Sequence, residues 1–381
     1  MMKKSIIAVT LATLLTACGG SGKKQETPNN GNNANAGKFD FVATQMITNL
    51  TDNVIVEGYK ELADKAKALH LATETLVNTP TQENLKAAQD AWKAARKPWE
   101  QGESHIFGPV DALGVDPKVD TWPLDTNGVK TIISNGNFTA ETIKNLNEDQ
   151  QGFHAMEYVL FGDGKADNVK NIAELSQNER DFIKEVADVF LSYTNELRDA
   201  WIENYNKSPD GKKEAFANQL KSPGDNSKYA SQLAVIQELV EGMKGIVDEV
   251  GNGKIAEPYE KKDVTKVESQ YSWNSLTDFG NNIKGVKNVW EGEFTNGQDK
   301  QGIVDFVKAG NPALATRIST EIDTAITKIR DIDGGEGMPF RQAISDTAGR
   351  VRIQAAIESL SKLHASLHND VTPLIKKWNA Q

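Results

Sequence analysis

The sequence predicts an all-α protein built from two helical bundles, and three observations carry that prediction. Apolar residues recur at steps of three, four and seven along most of the chain after residue 50, the spacing of one helix face. No segment sustains the period-two alternation of a half-buried strand. Short turn clusters separate the periodic stretches, which favours antiparallel packing of neighbouring helices.

The N-terminus reads differently from the rest. Lys3 and Lys4 precede an apolar run from about Ile6 to Leu15, too short to span a bilayer and placed where a secretory signal belongs. Leu15-Thr16-Ala17-Cys18 closes it, and Cys18 is the only cysteine of the chain. Residues 1–17 are therefore expected to be a lipoprotein signal peptide, and the Cys18 thiol the acceptor of the lipid. Acyl chains gain about 0.8 kcal/mol per buried methylene, so several chains anchor firmly. Gly19 is not Asp, which favours the outer membrane in bacteria that sort by this position. Residues 18–37, rich in Gly, Ser, Asn and Lys, have too little apolar surface to fold and are expected to be a flexible tether.

Helix signals follow in order. Ile55, Tyr59, Leu62, Ala66, Leu69 and Leu76 form one stripe. Thr79-Pro80-Thr81-Gln82 reads as a cap with Thr79 at the N-cap and Pro80 in the first turn. Leu85, Ala88, Trp92, Ala95 and Trp99 form the next stripe, which Pro98 is expected to stop or kink. An irregular, aromatic-rich stretch from Gly102 to about Asn137 has the character of a functional loop. A helix starts near Gln151, and Ser176-Gln177-Asn178-Glu179 is a capping box opening a longer one.

Two turn clusters, Ser208-Pro209-Asp210-Gly211 and Ser222-Pro223-Gly224-Asp225, bracket the expected domain boundary. The division is an N-terminal domain over 38–215 and a C-terminal domain over 216–381. Leu233 to Val250, Phe279 to Trp290, Ile318 to Ile332 and Val351 to Leu367 supply the second set of amphipathic helices, with Asn311-Pro312 capping the third. Similar helix counts in the halves are compatible with a structural duplication, without a clean repeat to prove it.

Composition removes several function classes. The formal net charge of −10 argues against nucleic acid, whose phosphates require a basic face, but does not oppose cations. With Cys18 spent on lipid, no thiol remains for disulfides or thiolate catalysis. There is no Gly-x-Ser-x-Gly elbow, P-loop or dinucleotide fingerprint.

The sharpest local feature is Gly152-Phe153-His154-Ala155-Met156-Glu157. Three residues apart on a helix, His154 and Glu157 share a face and offer a nitrogen and an oxygen ligand, the arrangement that builds carboxylate metal sites in helical bundles. Spacing alone fits a hydrogen-bonded pair more often than a metal site. Apolar Phe153, Met156, Val159, Leu160 and Phe161 raise the metal reading, because buried ionisable groups need partners or a cation. Further ligands are sought in Trp99-Glu100-Gln101-Gly102-Glu103-Ser104-His105, with Glu103 and Glu100 first and His105 third. His364 and His368 lie four apart, but His364-Ala365-Ser366-Leu367-His368 lacks the general base of HExxH and reads as an exposed polar face.

Four blocks together resemble the imelysin, or peptidase M75-like, family and its iron-regulated lipoprotein branch. They are Ala95-Arg96 with Trp99 through Glu103-Ser104 and then Phe107-Gly108-Pro109; Val119-Asp120-Thr121-Trp122-Pro123-Leu124; the hallmark GxHxxE at Gly152–Glu157 with Tyr158, Leu160, Phe161 and Gly162; and Glu268-Ser269-x-Tyr271-Ser272 with Ser275, Asp278 and Asn282. Ser104-His105-Ile106 departs from the small and aromatic residues of the first block. The resemblance implies two bundle-like domains with a polar site near their interface, export, iron-linked expression and a part in iron or haem acquisition. Some members are described as peptidases. It further implies His154, Glu157 and Glu103 as metal ligands, Arg96 and Asp120 in support, and Ser269, Ser272 and Asp278 from the second half.

The preferred expectation is thus a lipid-anchored binding protein for iron or an iron-bearing ligand, serving iron or haem uptake components. Carboxylates plus one imidazole suit Fe or Mn, and Zn as the alternative. The competing expectation is a metallopeptidase with an activated water and Glu100 or Glu103 as base. A helical scaffold with a structural polar site is the third.

Overall fold

The computed structural model describes residues 37–205, 213–294 and 301–379. The signal peptide, Cys18, the tether up to residue 36 and the turn at Ser208–Gly211 lie outside the described residues. No helix among the described residues is long and apolar enough to cross a membrane.

The body is helical throughout, and no strand occurs among the described residues, only isolated bridges such as Phe39 to Trp378. Chain entry is pinned beside chain exit, because Asn379 N donates to Phe39 O (2.9 Å) and Phe39, Phe41 and Trp378 pack edge-on around Phe306.

The frame consists of α1 (Ala43–Asn49), α2 (Glu57–Asn78), α3 (Gln82–Gly102), α4 (Asp116–Asp120), α5 (Gly152–Phe161), α6 (Gln177–Ile202), α7 (Gln232–Asp248), α8 (Ser275–Glu291), α9 (Pro312–Arg330) and α10 (Thr347–Ser366), with shorter turns between. On one side α2 packs against α3 and α6; on the other, α8 packs against α3 and α9, and α9 against α10. Helix α3 is shared by both sets, so the expected boundary near residue 215 is crossed by close packing of α3 on α8. That approach depends on Gly285, where a Cβ would lie 2.2 Å from Gln101 O.

The predicted stripes are the buried faces: Leu62, Ala66, Leu69 and Leu76 on α2, Leu85, Trp92 and Trp99 on α3, and Phe279, Ile283, Val286 and Trp290 on α8. The caps at Ser176 and Asn311 form as expected, with Ser176 Oγ accepting from Glu179 N and Asn311 Oδ1 from Leu314 N.

Several details differ from expectation. The cap of α3 is Thr81, extended and accepting from Asn84 N, while Thr79 closes α2. Proline cannot donate, so the chain keeps Pro80 between the two helices. Pro98 does not end α3, which runs on to Gly102. The residues just beyond it, Trp99 and Glu100, are held by Asp120 and Arg96, and tertiary bonds of this kind offset the one backbone bond proline removes. The stretch 102–137 contains helical turns, among them α4 and Thr126–Asn135. Val351 points to solvent, 70% exposed, and Ile353 and Ala356 take the inner face of α10 instead.

Residues Leu50–Val56, Glu249–Ala256 and Leu367–Val371 are π-helical. Such wide turns are rare and concentrate at functional positions. The second of them enters the site described next.

Candidate functional site

The site grows from the C-terminal turns of α3. Arg96 is fully buried and its guanidinium is enclosed by four carboxylates. It donates to Asp120 Oδ1 through Nη1 and to Glu100 Oε1 through Nη2. Nη2 also reaches Glu268 Oε1 (2.9 Å), and Nε reaches Asp278 Oδ2 (3.3 Å). A planar, always charged fork suits this many acceptors, where a point charge would serve fewer.

Helix α5 delivers the hallmark pair. Gly152 sits at φ +71°, and a Cβ there would lie 2.4 Å from Val119 O. Only glycine allows the start of α5 to touch the end of α4 so closely, and this contact sets His154 beside Asp120. His154 Nδ1 is 2.9 Å from Glu157 Oε2. Glu157 Oε1 accepts from Tyr271 N (2.9 Å), Ser272 N (2.8 Å) and Ser272 Oγ (2.8 Å). The segment presenting those donors contains two non-glycine residues at positive φ, Ser269 (+50°) and Trp273 (+60°). Strain of this kind persists where surrounding contacts over-determine it.

With Nδ1 committed to Glu157, the imidazole turns Nε2 towards Asp120 Oδ1 (3.3 Å) and Glu268 Oε1 (3.9 Å). Nε2 is buried and makes no hydrogen bond. Asp120 is fixed from behind, its Oδ2 accepting from Trp99 Nε1 at 2.6 Å. Asp120, His154 and Glu268 each offer one ligand atom, all within 4.8 Å of one another. This is the arrangement in which a carboxylate orients a histidine so that its other nitrogen can ligate a metal.

A second group of contacts lies on the far side of Glu268. Lys254 Nζ donates to Glu103 Oε2 (2.8 Å) and lies 3.1 Å from Glu268 Oε2 and 3.4 Å from Glu100 Oε2. Asn282 Nδ2 bridges Glu100 Oε2 (2.6 Å) and Glu103 Oε2 (2.5 Å). Asp278 accepts from Ser269 Oγ (2.5 Å) and Asn274 Nδ2 (2.7 Å).

The electrostatics follow from burial. Glu100, Glu103, Asp120, Glu157, Glu268 and Asp278 share the volume with Arg96, Lys254 and His154, all of them buried. Carboxylates outnumber cationic groups by six to three even when His154 carries a proton. Burial opposes the imidazolium, yet Asp120 and Glu157 outweigh it and hold His154 up at about 9. Burial also works against ionised Asp120, but Arg96, then His154, pull it well below the usual carboxylate range. Burial pushes Asp278 up to about 6 against Arg96, and drives Glu103 well above its ordinary value against Lys254. Desolvation likewise opposes charged Lys254, and Glu103 and Glu268 overcome it, leaving the ammonium firmly protonated.

The imelysin family model matches residues 55–367. The chain belongs to the imelysin family. Iron-regulated protein A of Synechococcus elongatus is 28% identical to it over 337 residues, 88% of each chain. A crystal structure of an iron-regulated protein A precursor from Parabacteroides distasonis superposes with a TM-score of 0.76 at 29% identity, covering 88% of this chain and 94% of that one. An imelysin-like protein from Psychrobacter arcticum superposes at 0.70 over 89% of this chain and 98% of its own, with 15% identity, a likeness of fold.

In this imelysin-family chain the residues singled out from sequence converge. His154, Glu157, Asp120, Arg96, Glu100, Glu103, Ser269, Ser272 and Asp278 all line one buried cluster. Their places within it are not equal. Glu157 lies behind the imidazole, and Glu103 lies across the cluster on Lys254, so the oxygens nearest His154 Nε2 belong to Asp120 and Glu268. His105 is apart, stacked edge-on against Tyr59, and burial depresses it to about 3. His364, at the end of α10, and His368, in the π-helical turn that follows, stack on each other with ring centroids 6.1 Å apart. Sequence reasoning missed Glu268 and Asn282 as participants, although both stand in the quoted serine-rich block. It missed Lys254 altogether. The signal available was Gly251-Asn252-Gly253-Lys254, a break in helical patterning with one charge inside it.

Proposed function

We propose that this chain is an envelope-anchored imelysin-family protein whose buried Asp120–His154–Glu268 group binds an iron ion in the service of iron acquisition. The observation that carries the reading is His154 Nε2, buried without an aligned hydrogen bond beside Asp120 and Glu268, with Nδ1 held from the other side by Glu157; a bound ion would take the place of the Nε2 proton. One imidazole and two carboxylates form a mixed nitrogen and hard-oxygen set that suits Fe, and Zn as the alternative. The iron-regulated name of a relative spanning most of the chain supports iron over zinc. The cluster's closure to solvent supports a bare ion over haem. Anchoring through lipid on Cys18 to the outer membrane would place the protein beside uptake components.

The metallopeptidase alternative has less support. Its bases, Glu100 and Glu103, are bound to Arg96, Lys254 and Asn282, and the group offers no solvent-open position for a nucleophilic water. The test is to titrate the full chain with Fe(II) and Zn(II) by calorimetry, measure bound metal after dialysis, and incubate it with an unfolded protein. Stoichiometric iron, lost in His154→Ala and Asp120→Ala, is expected. Equal metal content in wild type and His154→Ala would sink the reading, and metal-dependent cleavage would replace it with the enzyme.

A further inference from the structure

We infer that Lys254 is a tethered cation that fills a second cation position in the cluster and so restricts the centre to a single bound ion. The inference rests on the reading that Asp120, His154 and Glu268 take an ion, and it extends that reading to the ion count.

The geometry divides the cluster in two about Glu268. Its Oε1 accepts from Arg96 Nη2 (2.9 Å) and Lys254 Nζ (3.3 Å) and lies 3.9 Å from His154 Nε2, while its Oε2 lies 3.1 Å from Lys254. Glu268 is thus shared between the Arg96–His154 side and the Lys254 side, as a carboxylate between paired metal ions is. On the far side, Glu100, Glu103 and Glu268 converge on the Lys254 ammonium at 3.4, 2.8 and 3.1 Å. Asn282 faces them through Nδ2, which donates to Glu100 Oε2 and Glu103 Oε2, and Glu268 Oε2 is buried without an aligned hydrogen-bond donor. Three carboxylates are a hard-oxygen donor set for a divalent ion such as Mn(II), Fe(II), Mg(II) or Ca(II). Metal–oxygen bonds of about 2.0–2.6 Å are shorter than the ammonium contacts, so a metal would draw the same oxygens inward.

What occupies that position is supplied by the chain. Lys254 has no exposed surface and is carried into the cluster by the π-helical turn Glu249–Ala256. An ammonium on a side chain cannot exchange with solution, and its effective concentration beside three carboxylates far exceeds that of any free cation. A metal ion is then repelled from the second position by the fixed ammonium.

The test counts ions. Full-length wild type, Lys254→Gln and Lys254→Arg are equilibrated with Mn(II), which has an EPR signal, and bound metal is measured after dialysis. Lys254→Gln should bind one ion more than wild type, and the two Mn(II) ions should show exchange-coupled EPR spectra. Lys254→Arg should keep the wild-type count, and adding Glu100→Gln to Lys254→Gln should return it. If Lys254→Gln is unfolded without metal, Mn(II) should refold it, which circular dichroism would follow. No increment over wild type, or no refolding with Mn(II), overturns the inference. The baseline reports separately on the first position: a wild type that binds nothing refutes the iron reading, while the increment still decides the role of Lys254.

Discussion

Residues 50–56 and 249–256 are the same backbone device used for opposite ends. Both are π-helical, and both hand over to an α-helix at a glutamate, Glu57 and Glu257. Val54-Ile55-Val56-Glu57-Gly58-Tyr59 runs parallel to Lys254-Ile255-Ala256-Glu257-Pro258-Tyr259, with Ile, Glu and Tyr matched. Val54 is 1% exposed and Lys254 not at all. The first turn puts an aliphatic side chain into an apolar core. The second puts an ammonium there, and it is tolerated because Glu100, Glu103 and Glu268 surround it. A buried charge is therefore a property of what faces it, not of the turn that carries it.

The exchange of these two residues gives the largest expected effects. Val54→Lys brings an ammonium into the hydrophobic core; a fully buried lysine shifts by roughly 3–5 pH units, so a loss on the order of 4–7 kcal/mol is expected in denaturant unfolding. A cost under about 1 kcal/mol would mean the two turns are interchangeable. Lys254→Val strands the carboxylates around it and should cost about 3–5 kcal/mol without metal, with part of the loss restored by Mn(II).

Smaller effects test the two ends of the site. Glu157→Gln weakens a charge-assisted set of bonds to Tyr271 N, Ser272 and His154, and should cost about 1.5–3 kcal/mol. It should also release the imidazole, seen as a broadened or shifted His154 ring resonance; an unchanged resonance would remove Glu157 as its orienter.

A pH-dependent effect concerns His105, which faces Ser104 Oγ and the Tyr59 ring in an apolar corner and has no carboxylate against it. Burial lowers it from 6.5 to about 3. The unfolded chain takes up this proton first, so stability is retained above pH about 6.5 and lost as pH falls towards 3. The slope approaches about 1.4 kcal/mol per pH unit for one proton. His105→Phe should be shallower than wild type by that amount between pH 6 and 4, by thermal melts across the range. Identical slopes would contradict a neutral buried His105.

The fold was legible where packing follows periodicity. The stripes on α2, α3 and α8 are the buried faces, and the caps at Ser176 and Asn311 are local bonds that three or four residues specify. Legibility failed where tertiary contacts overrule a local rule. Pro98 sits inside α3, and Val351, on the expected apolar stripe, faces solvent while Ile353 turns inward. In the site, His154 and Glu157 were readable because both lie on one helical turn, and Asp120 and Arg96 because their blocks resemble the family's. Glu268 and Lys254 were not read: Glu268 stands in a quoted block without having been given a role, and the break at Gly251-Asn252-Gly253 does not show which carboxylates Lys254 meets.

By itself the sequence determined the helices, their inward faces, family membership and one imidazole–carboxylate pair, because each depends on residues close in the chain or on a motif. The tertiary structure decided which carboxylate lies behind that imidazole, which lie before it, and which are taken up by a lysine some 150 residues away from Glu103 (151 positions). Those assignments depend on distances of a few ångströms between helices, and only packing of α3 against α5, α8 and the π-helical turn sets them.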